Sequence, residues 1–193
     1  MKFTELLDLK PKCILCKIVL LVVIVSIFTT TDLIVKDVVY RNLRHENYPM
    51  QQKDDVVVIK GFWNYRYTQN DDIGFSILSW MEKFLSPTAK RIFLCCLQGF
   101  GTAIVICFYF YSKRLKFLVP FALIISGALG NFLDRCFRGF VVDYIMWYHK
   151  SFIWPIFNLA DVFTVVGAFM LILILIFYGD DEDKPSTETV SQS

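Results

Sequence analysis

The sequence predicts an all-α integral membrane protein: four transmembrane helices, a small extracytoplasmic β-sheet and a short amphipathic surface helix. Three observations predict it. Of 193 residues, 55% are hydrophobic and only 20% are charged, and the mean hydropathy is +0.50. Soluble domains average roughly 25% charged residues. The charges that exist are missing from four long runs, and basic residues crowd one short link between two of them. The net charge of +2 supplies no basic field, so no nucleic-acid partner is expected.

Ile18–Thr31 is uncharged, after Lys10, Lys12 and Lys17 and before Asp32 and Lys36. Ile92–Ser112, Phe117–Leu133 and Val162–Gly179 are the other uncharged runs. A helix needs about 20 apolar residues to cross a hydrocarbon core, and without water its backbone groups must pair internally. The predicted spans are therefore about 14–35, 91–112, 117–134 and 156–178, within one membrane-embedded domain over 1–180. The first run follows a basic stretch as a signal peptide would. It lacks an A-x-A-like cleavage site and leads into Asp32 and Lys36, so it reads as a retained span.

Lys113, Arg114 and Lys116 fill the link between the second and third runs, which places that hairpin in the cytoplasm. Both termini are then cytoplasmic, and 37–90 and 134–155 lie outside. Arg135, Arg138 and Lys150 break the positive-inside pattern there, so local roles are expected of them. In the first outer region, Val56–Ile59 is β-prone, and Trp63, Tyr65 and Tyr67 alternate with polar residues at strand period. Asn70-Asp71-Asp72 reads as a turn. Phe75, Leu78, Met81 and Leu85 fall on one face of a short surface helix, ended by Pro87. The tail over 181–193 reads as disordered and cytoplasmic.

Acidic residues at membrane depth are costly and each needs a reason. Asp143 follows Val141-Val142 and precedes Tyr144-Ile145-Met146-Trp147, while Asp161 opens the last apolar run. No basic residue stands beside either. Two desolvated carboxylates that met would repel, and one would retain a proton. Such a pair can serve as general base and general acid on water, titrating as a unit. Asp134 has Arg135 as a neighbour, and an interfacial ion pair explains it. Asn131 and Asn158 read best as helix caps, with substrate hydrogen bonding as the other role. Gly127, Ala128 and Gly130 form a small-residue face suited to close helix packing.

Together these residues resemble a known family. Gly130-Asn131-x-x-Asp134-Arg135, Val142-Asp143-Tyr144 and Phe157-Asn158-x-Ala160-Asp161 look like the signatures of the lipoprotein signal peptidases, the type II signal peptidases. Asp32-x-x-x-Lys36 is similar to that family's first signature, and Asn70 followed by Gly74-Phe75-Ser76 resembles its Asn-x-Gly-x-x-Phe segment. Asp72 departs from the glycine usual there. The resemblance spans roughly residues 20 to 170.

It implies an aspartic endopeptidase of the bacterial inner membrane, cleaving prolipoproteins before a diacylglyceryl-modified cysteine. Asp143 and Asp161 would be the catalytic dyad, facing the extracytoplasmic side. Asn70, Asn131, Arg135, Asn158 and Ala160 would support substrate or dyad, and Asp134 would be structural. Asp32 and Lys36 would have a structural or substrate role. Partners would be the lipid-modified precursor and membrane lipids.

Neither a metal nor a cofactor is expected. His45 and His149 lack metalloprotease spacing. Five of the six cysteines lie in or near spans, and Cys136 alone reads as exposed to an oxidising side, so no disulfide framework is expected. Cys13-x-x-Cys16 resembles half a zinc knuckle without a second half, and buried small hydrophobe is the role expected of it. Tyr144, Trp147, Tyr148 and Trp154 read as an interfacial aromatic belt. The rival function is a small transporter or proton channel with intramembrane carboxylates. Such proteins often show repeated halves and sites near the midplane, whereas here the acids gather at one edge.

Overall fold

The computed structural model describes residues 14–71 and 86–178. The expected surface helix, Asp72, Gly74-Phe75-Ser76, Cys13 and the tail over 181–193 lie outside the described residues. Four long helices run as α1 (Ile14–Leu43), α2 (Pro87–Tyr111), α3 (Leu115–Phe137) and α4 (Leu159–Tyr178). All four are long and apolar enough to cross a membrane.

All four differ from the predicted spans at their ends: the last starts at Leu159 instead of about 156, and the larger differences in the other three have local causes. α1 continues past 35 because the charges that end its apolar run pair along the helix: Asp32 with Lys36 and Asp37 with Arg41, both i,i+4. α2 starts earlier than expected, since Pro87 initiates the helix. Ser86 is its N-cap, accepting the Ala89 N–H, and proline at the first helical position sacrifices an N–H that has no intrahelical partner. α3 runs on to Phe137, where its last carbonyls are taken by Arg91, whose Nε donates to Arg135 O at 2.9 Å and Nη2 to Cys136 O at 2.5 Å.

α3 is the centre of the bundle, packing against the other three helices. The approach of α3 to α4 and to α1 is set by glycine. A Cβ on Gly127 would stand 2.1 Å from the Ala160 carbonyl oxygen, and one on Gly130 would stand 2.5 Å from Asp32 Oδ2. Between lipid-embedded helices, such close contact and polar bonds supply the cohesion that water exclusion supplies elsewhere. Leu15, Val22, Phe100, Phe108, Phe169 and Leu175 point outward from the bundle, as a lipid-facing surface requires.

A four-stranded antiparallel sheet caps one end, in the order β1 (Val56–Ile59), β2 (Trp63–Asn70), β3 (Val141–His149), β4 (Phe152–Ile153). β1 and β2 fall on the segments expected from the sequence. β3 and β4 were not expected. The first six residues of β3 are buried on both faces, so the strand reads as an apolar run without alternation. Lys150, at φ 54°, makes the turn from β3 towards β4, which is its local role. The sheet packs on the extended end of α1: Val39 joins Tyr67, Val142, Tyr144 and Ile145 in one buried cluster. Tyr144 therefore leaves the aromatic belt expected for it, while Trp147 and Trp154 remain exposed. Cys16 differs from expectation too, being exposed; Cys96, Cys107 and Cys136 are exposed as well, and Cys95 is half-buried.

Candidate active site

The site lies where the sheet meets the bundle. Its starting point is Lys36, fully buried on α1. A buried ammonium is tolerable only with its donors satisfied, and lysine has three. They go to Asp32 Oδ2 at 2.8 Å, Asn131 Oδ1 at 2.7 Å and Asp134 Oδ2 at 3.2 Å. Asp32 Oδ1 accepts the Ala160 N–H at 2.9 Å, so its charge also faces the N-terminal end of α4. Asp134 Oδ2 accepts the Val142 N–H at 3.2 Å, and Oδ1 is bound by Arg138 Nη1. The cation paired with Asp134 is thus Arg138 together with Lys36, in place of the neighbouring Arg135. Arg138 also reaches Asp37 at 3.7 Å and lies over the Tyr40 ring, which accounts for a positive charge against the topology rule.

Asn158 precedes α4 and forms a reciprocal cap with Asp161. Its Oδ1 accepts the Asp161 N–H at 3.1 Å, and Asp161 Oδ2 accepts the Asn158 N–H at 3.1 Å. This leaves the Asn158 amide nitrogen free to serve two acceptors, Asp143 Oδ1 at 2.5 Å and Asn131 Oδ1 at 3.1 Å. Asn131 lies inside α3 and is not a cap. Its nitrogen donates to Asp161 Oδ1 at 2.8 Å. Phe157 fixes the approach of the two elements: Tyr144 N–H and Ile145 N–H both donate to its carbonyl, and its own N–H donates to Ile145 O at 3.2 Å. The start of α4 is thereby bolted to β3.

Asp143 stands opposite Thr68 on β2, and Asn70 stands opposite Val141. That register makes Asn70 a diagonal neighbour of Asp143, and its Nδ2 donates to Asp143 Oδ2 at 2.8 Å. Asp143 is 3% exposed. Burial, and then the nearby charge of Asp161, push its carboxyl up to about 7, against the opposing amide bonds from Asn70 and Asn158. Asp161 and Asn131 are half-buried, so the cluster reaches the surface on the Asp161 side. Arg135 Nη1 donates to Gln98 Oε1 at 2.7 Å and to Asn131 O at 3.5 Å, and its charge acts on both aspartates. A cavity of about 550 Å³ opens beside it, lined by Arg91, Leu94, Arg138 and Phe140 among others.

The structure thus brings Asp32, Lys36, Asn70, Asn131, Asp134, Arg135, Asn158, Ala160 and the two aspartates into one connected network. Gln98 was not anticipated. It holds Arg135 with one end and donates to Ala128 O at 2.8 Å with the other. A single neutral amide in an apolar helix gives no spacing signal, although any polar group at that depth invites the question of its partner. Arg91 was missed for a related reason: at the edge of a run it reads as a span boundary.

The residues are arranged as a paired-carboxylate site, and comparison with known proteins places the chain in a family. The model of the family described as Signal peptidase (SPase) II matches residues 22–177. The chain is 37% identical over 136 residues to the lipoprotein signal peptidase of Xanthomonas axonopodis pv. citri (strain 306), covering 68% of this chain and 75% of that protein. It is 36% identical over 135 residues to the lipoprotein signal peptidase of Xylella fastidiosa (strain M12), covering 68% and 76%. Among solved structures, a bacterial membrane enzyme determined by the in meso method at 2.3 Å is similar over 93% of this chain and 97% of its own, at 26% identity and a TM-score of 0.67. The extent of these matches means that this chain belongs to the signal peptidase II family and is a membrane protease.

Proposed function

We propose that the protein removes the signal peptide from prolipoproteins, cutting on the N-terminal side of a diacylglyceryl-modified cysteine, with Asp143 and Asp161 as the catalytic pair. The observation that carries this reading is that Asn158 binds both carboxylates, Asp143 through its side-chain amide and Asp161 through its backbone N–H, while Asn131 holds Asp161 from the other side. Two carboxylates so placed divide the work of peptide hydrolysis. Asp161, at the N-terminal turn of α4 where negative charge is favoured, accepts a proton from the attacking water. Asp143, carrying the proton that its burial favours, donates to the scissile carbonyl oxygen. The proton gained by Asp161 then passes to the leaving amine, while the collapsing diol returns a hydroxyl proton to Asp143 and re-forms the carbonyl. Arg135 balances the single negative charge that the pair retains. The precursor's extended segment enters by the cavity beside Arg135 and Arg91.

This reading puts the sheet and the dyad on the extracytoplasmic face of the bacterial inner membrane and both termini in the cytoplasm. The basic hairpin at Lys113, Arg114 and Lys116 supports it. A lipid-anchored cysteine would hold its peptide bond at the same membrane edge. The test is removal of the signal peptide from a purified diacylated prolipoprotein, followed by gel shift in detergent. Wild type should cleave, while Asp143→Asn and Asp161→Asn should each lose cleavage by about 10³-fold or more. Wild-type turnover by either variant would remove the dyad from the mechanism.

A further inference from the structure

We propose that Cys95 and Cys136 are a disulfide-forming pair that staples α2 to the end of α3 beside the candidate active site. Cys136 Sγ donates to Cys95 Sγ at 3.9 Å, and both thiols are free in this structure. The pair is the middle rung of a ladder between the two helices. Arg91, Cys95 and Gln98 share one face of α2 at helical spacing. Arg91 binds the Cys136 and Arg135 carbonyls, and Gln98 binds the Arg135 side chain. With bonds on both sides holding the helices together, the sulfurs face each other at 3.9 Å and have to close to about 2.05 Å to bond. The inference rests on the proposed orientation, which places this end of the bundle in an oxidising compartment where disulfides persist.

The chemistry is thiol–disulfide exchange with a disulfide-bearing protein oxidant. Cys136, the exposed thiol, loses its proton to solvent and attacks the oxidant, forming a mixed disulfide and releasing one oxidant sulfur as a thiolate. Cys95 then loses its proton and attacks the Cys136 sulfur, releasing the second oxidant sulfur. Two electrons pass to the oxidant, which leaves as a dithiol.

Full-length protein in detergent is treated with oxidised glutathione, alkylated with N-ethylmaleimide and mapped without reduction. A Cys95–Cys136 cross-linked peptide should appear, with alkylation of Cys136 falling at least tenfold. The melting midpoint should rise, dithiothreitol should reverse the rise, and Cys95→Ser should lack it. Unchanged alkylation of both thiols, a Cys95–Cys96 bond or an intermolecular dimer would each overturn the staple. In intact cells alkylated before lysis, the same peptide should dominate.

Two further variants separate the staple from the readings beneath it. Lys60→Cys, in the exposed β1–β2 turn, reports orientation through a membrane-impermeant maleimide. A labelled Lys60→Cys with free thiols in cells sinks the staple alone. An unlabelled one sinks the orientation and the staple together. Cys136→Ser should keep wild-type prolipoprotein cleavage, so loss of the cross-link and loss of the peptidase reading remain distinguishable.

Discussion

Lys36 Nζ donates to Asn131 Oδ1 at 2.7 Å, and this bond decides which way the Asn131 amide faces. An ammonium can only donate, so the oxygen of Asn131 must turn to it and the nitrogen must turn to Asp161. A cation on α1 thereby orients a carboxylate on α4 without touching it. Lys36→Met should lower peptidase turnover by about 10-fold to 100-fold through that reorientation. It should also cost roughly 3–5 kcal/mol of stability by leaving Asp32 and Asp134 buried without their ammonium. Lys36→Met/Asp32→Asn should recover part of the melting midpoint and none of the turnover.

Asp143 gives the protein a signed pH dependence. Its carboxyl titrates near 7 in the folded chain and near the ordinary value of about 3.9 when unfolded. Between those values the folded state binds the extra proton, so stability falls as pH rises from about 4 to about 7 and levels off above that. In Asp143→Asn the slope should vanish, and the variant should melt no lower than wild type at pH 7. Melting midpoints recorded from pH 4 to 8 for both proteins check this; a slope that survives the substitution assigns it to another group.

Asn70 works against the rise at Asp143 by donating to Oδ2. Asn70→Ala should therefore push the Asp143 carboxyl further up. If the protonated Asp143 is the acid in cleavage, the basic limb of the pH–rate profile should move to higher pH. Turnover near neutrality should drop by about 10-fold, less than in Asp143→Asn. A rise confined to the acidic limb would reverse the assignment of acid and base.

The glycines of α3 can be told apart from a glycine on the lipid-facing side. Gly127→Ala and Gly130→Ala force a methyl into the Ala160 carbonyl and the Asp32 carboxylate respectively, and each should cost about 1–3 kcal/mol. Gly101, on α2, has nothing within 4 Å of where a Cβ would stand. Gly101→Ala should be neutral or stabilising by up to about 1 kcal/mol. Thermal unfolding of the three variants in one detergent provides the comparison.

What could be read beforehand depended on contrast. Asp143 and Asp161 stood out because they lie beside long apolar runs, Asn158 because it neighbours Asp161, and Asn131 because it stands with Asp134 at the end of the third run. β3 hid for the opposite reason. Strands buried on both faces lose the alternation that marks a strand, and Val141–Met146 then resembles the apolar residues of the spans. The extension of α1 hid because Asp32, Lys36, Asp37 and Arg41 look like loop charges until their i,i+4 pairing is seen. Gln98 offered one polar atom set and no pattern. The Cys95–Cys136 approach depends on the rotation of two helices about each other, a quantity that hydropathy does not encode.

The two aspartates ride on different parts of the molecule, Asp143 on the sheet and Asp161 on the bundle, joined chiefly through Phe157 and Asn158. A detergent that peeled the sheet away would pull the carboxylates apart while leaving every helix wound. Helical content is then a poor gauge of a working preparation. The quantity to follow during purification is the fluorescence of Trp147, whose ring lies edge-on to Phe157 with centroids 4.9 Å apart, since that contact sits where the sheet is fastened to the start of α4.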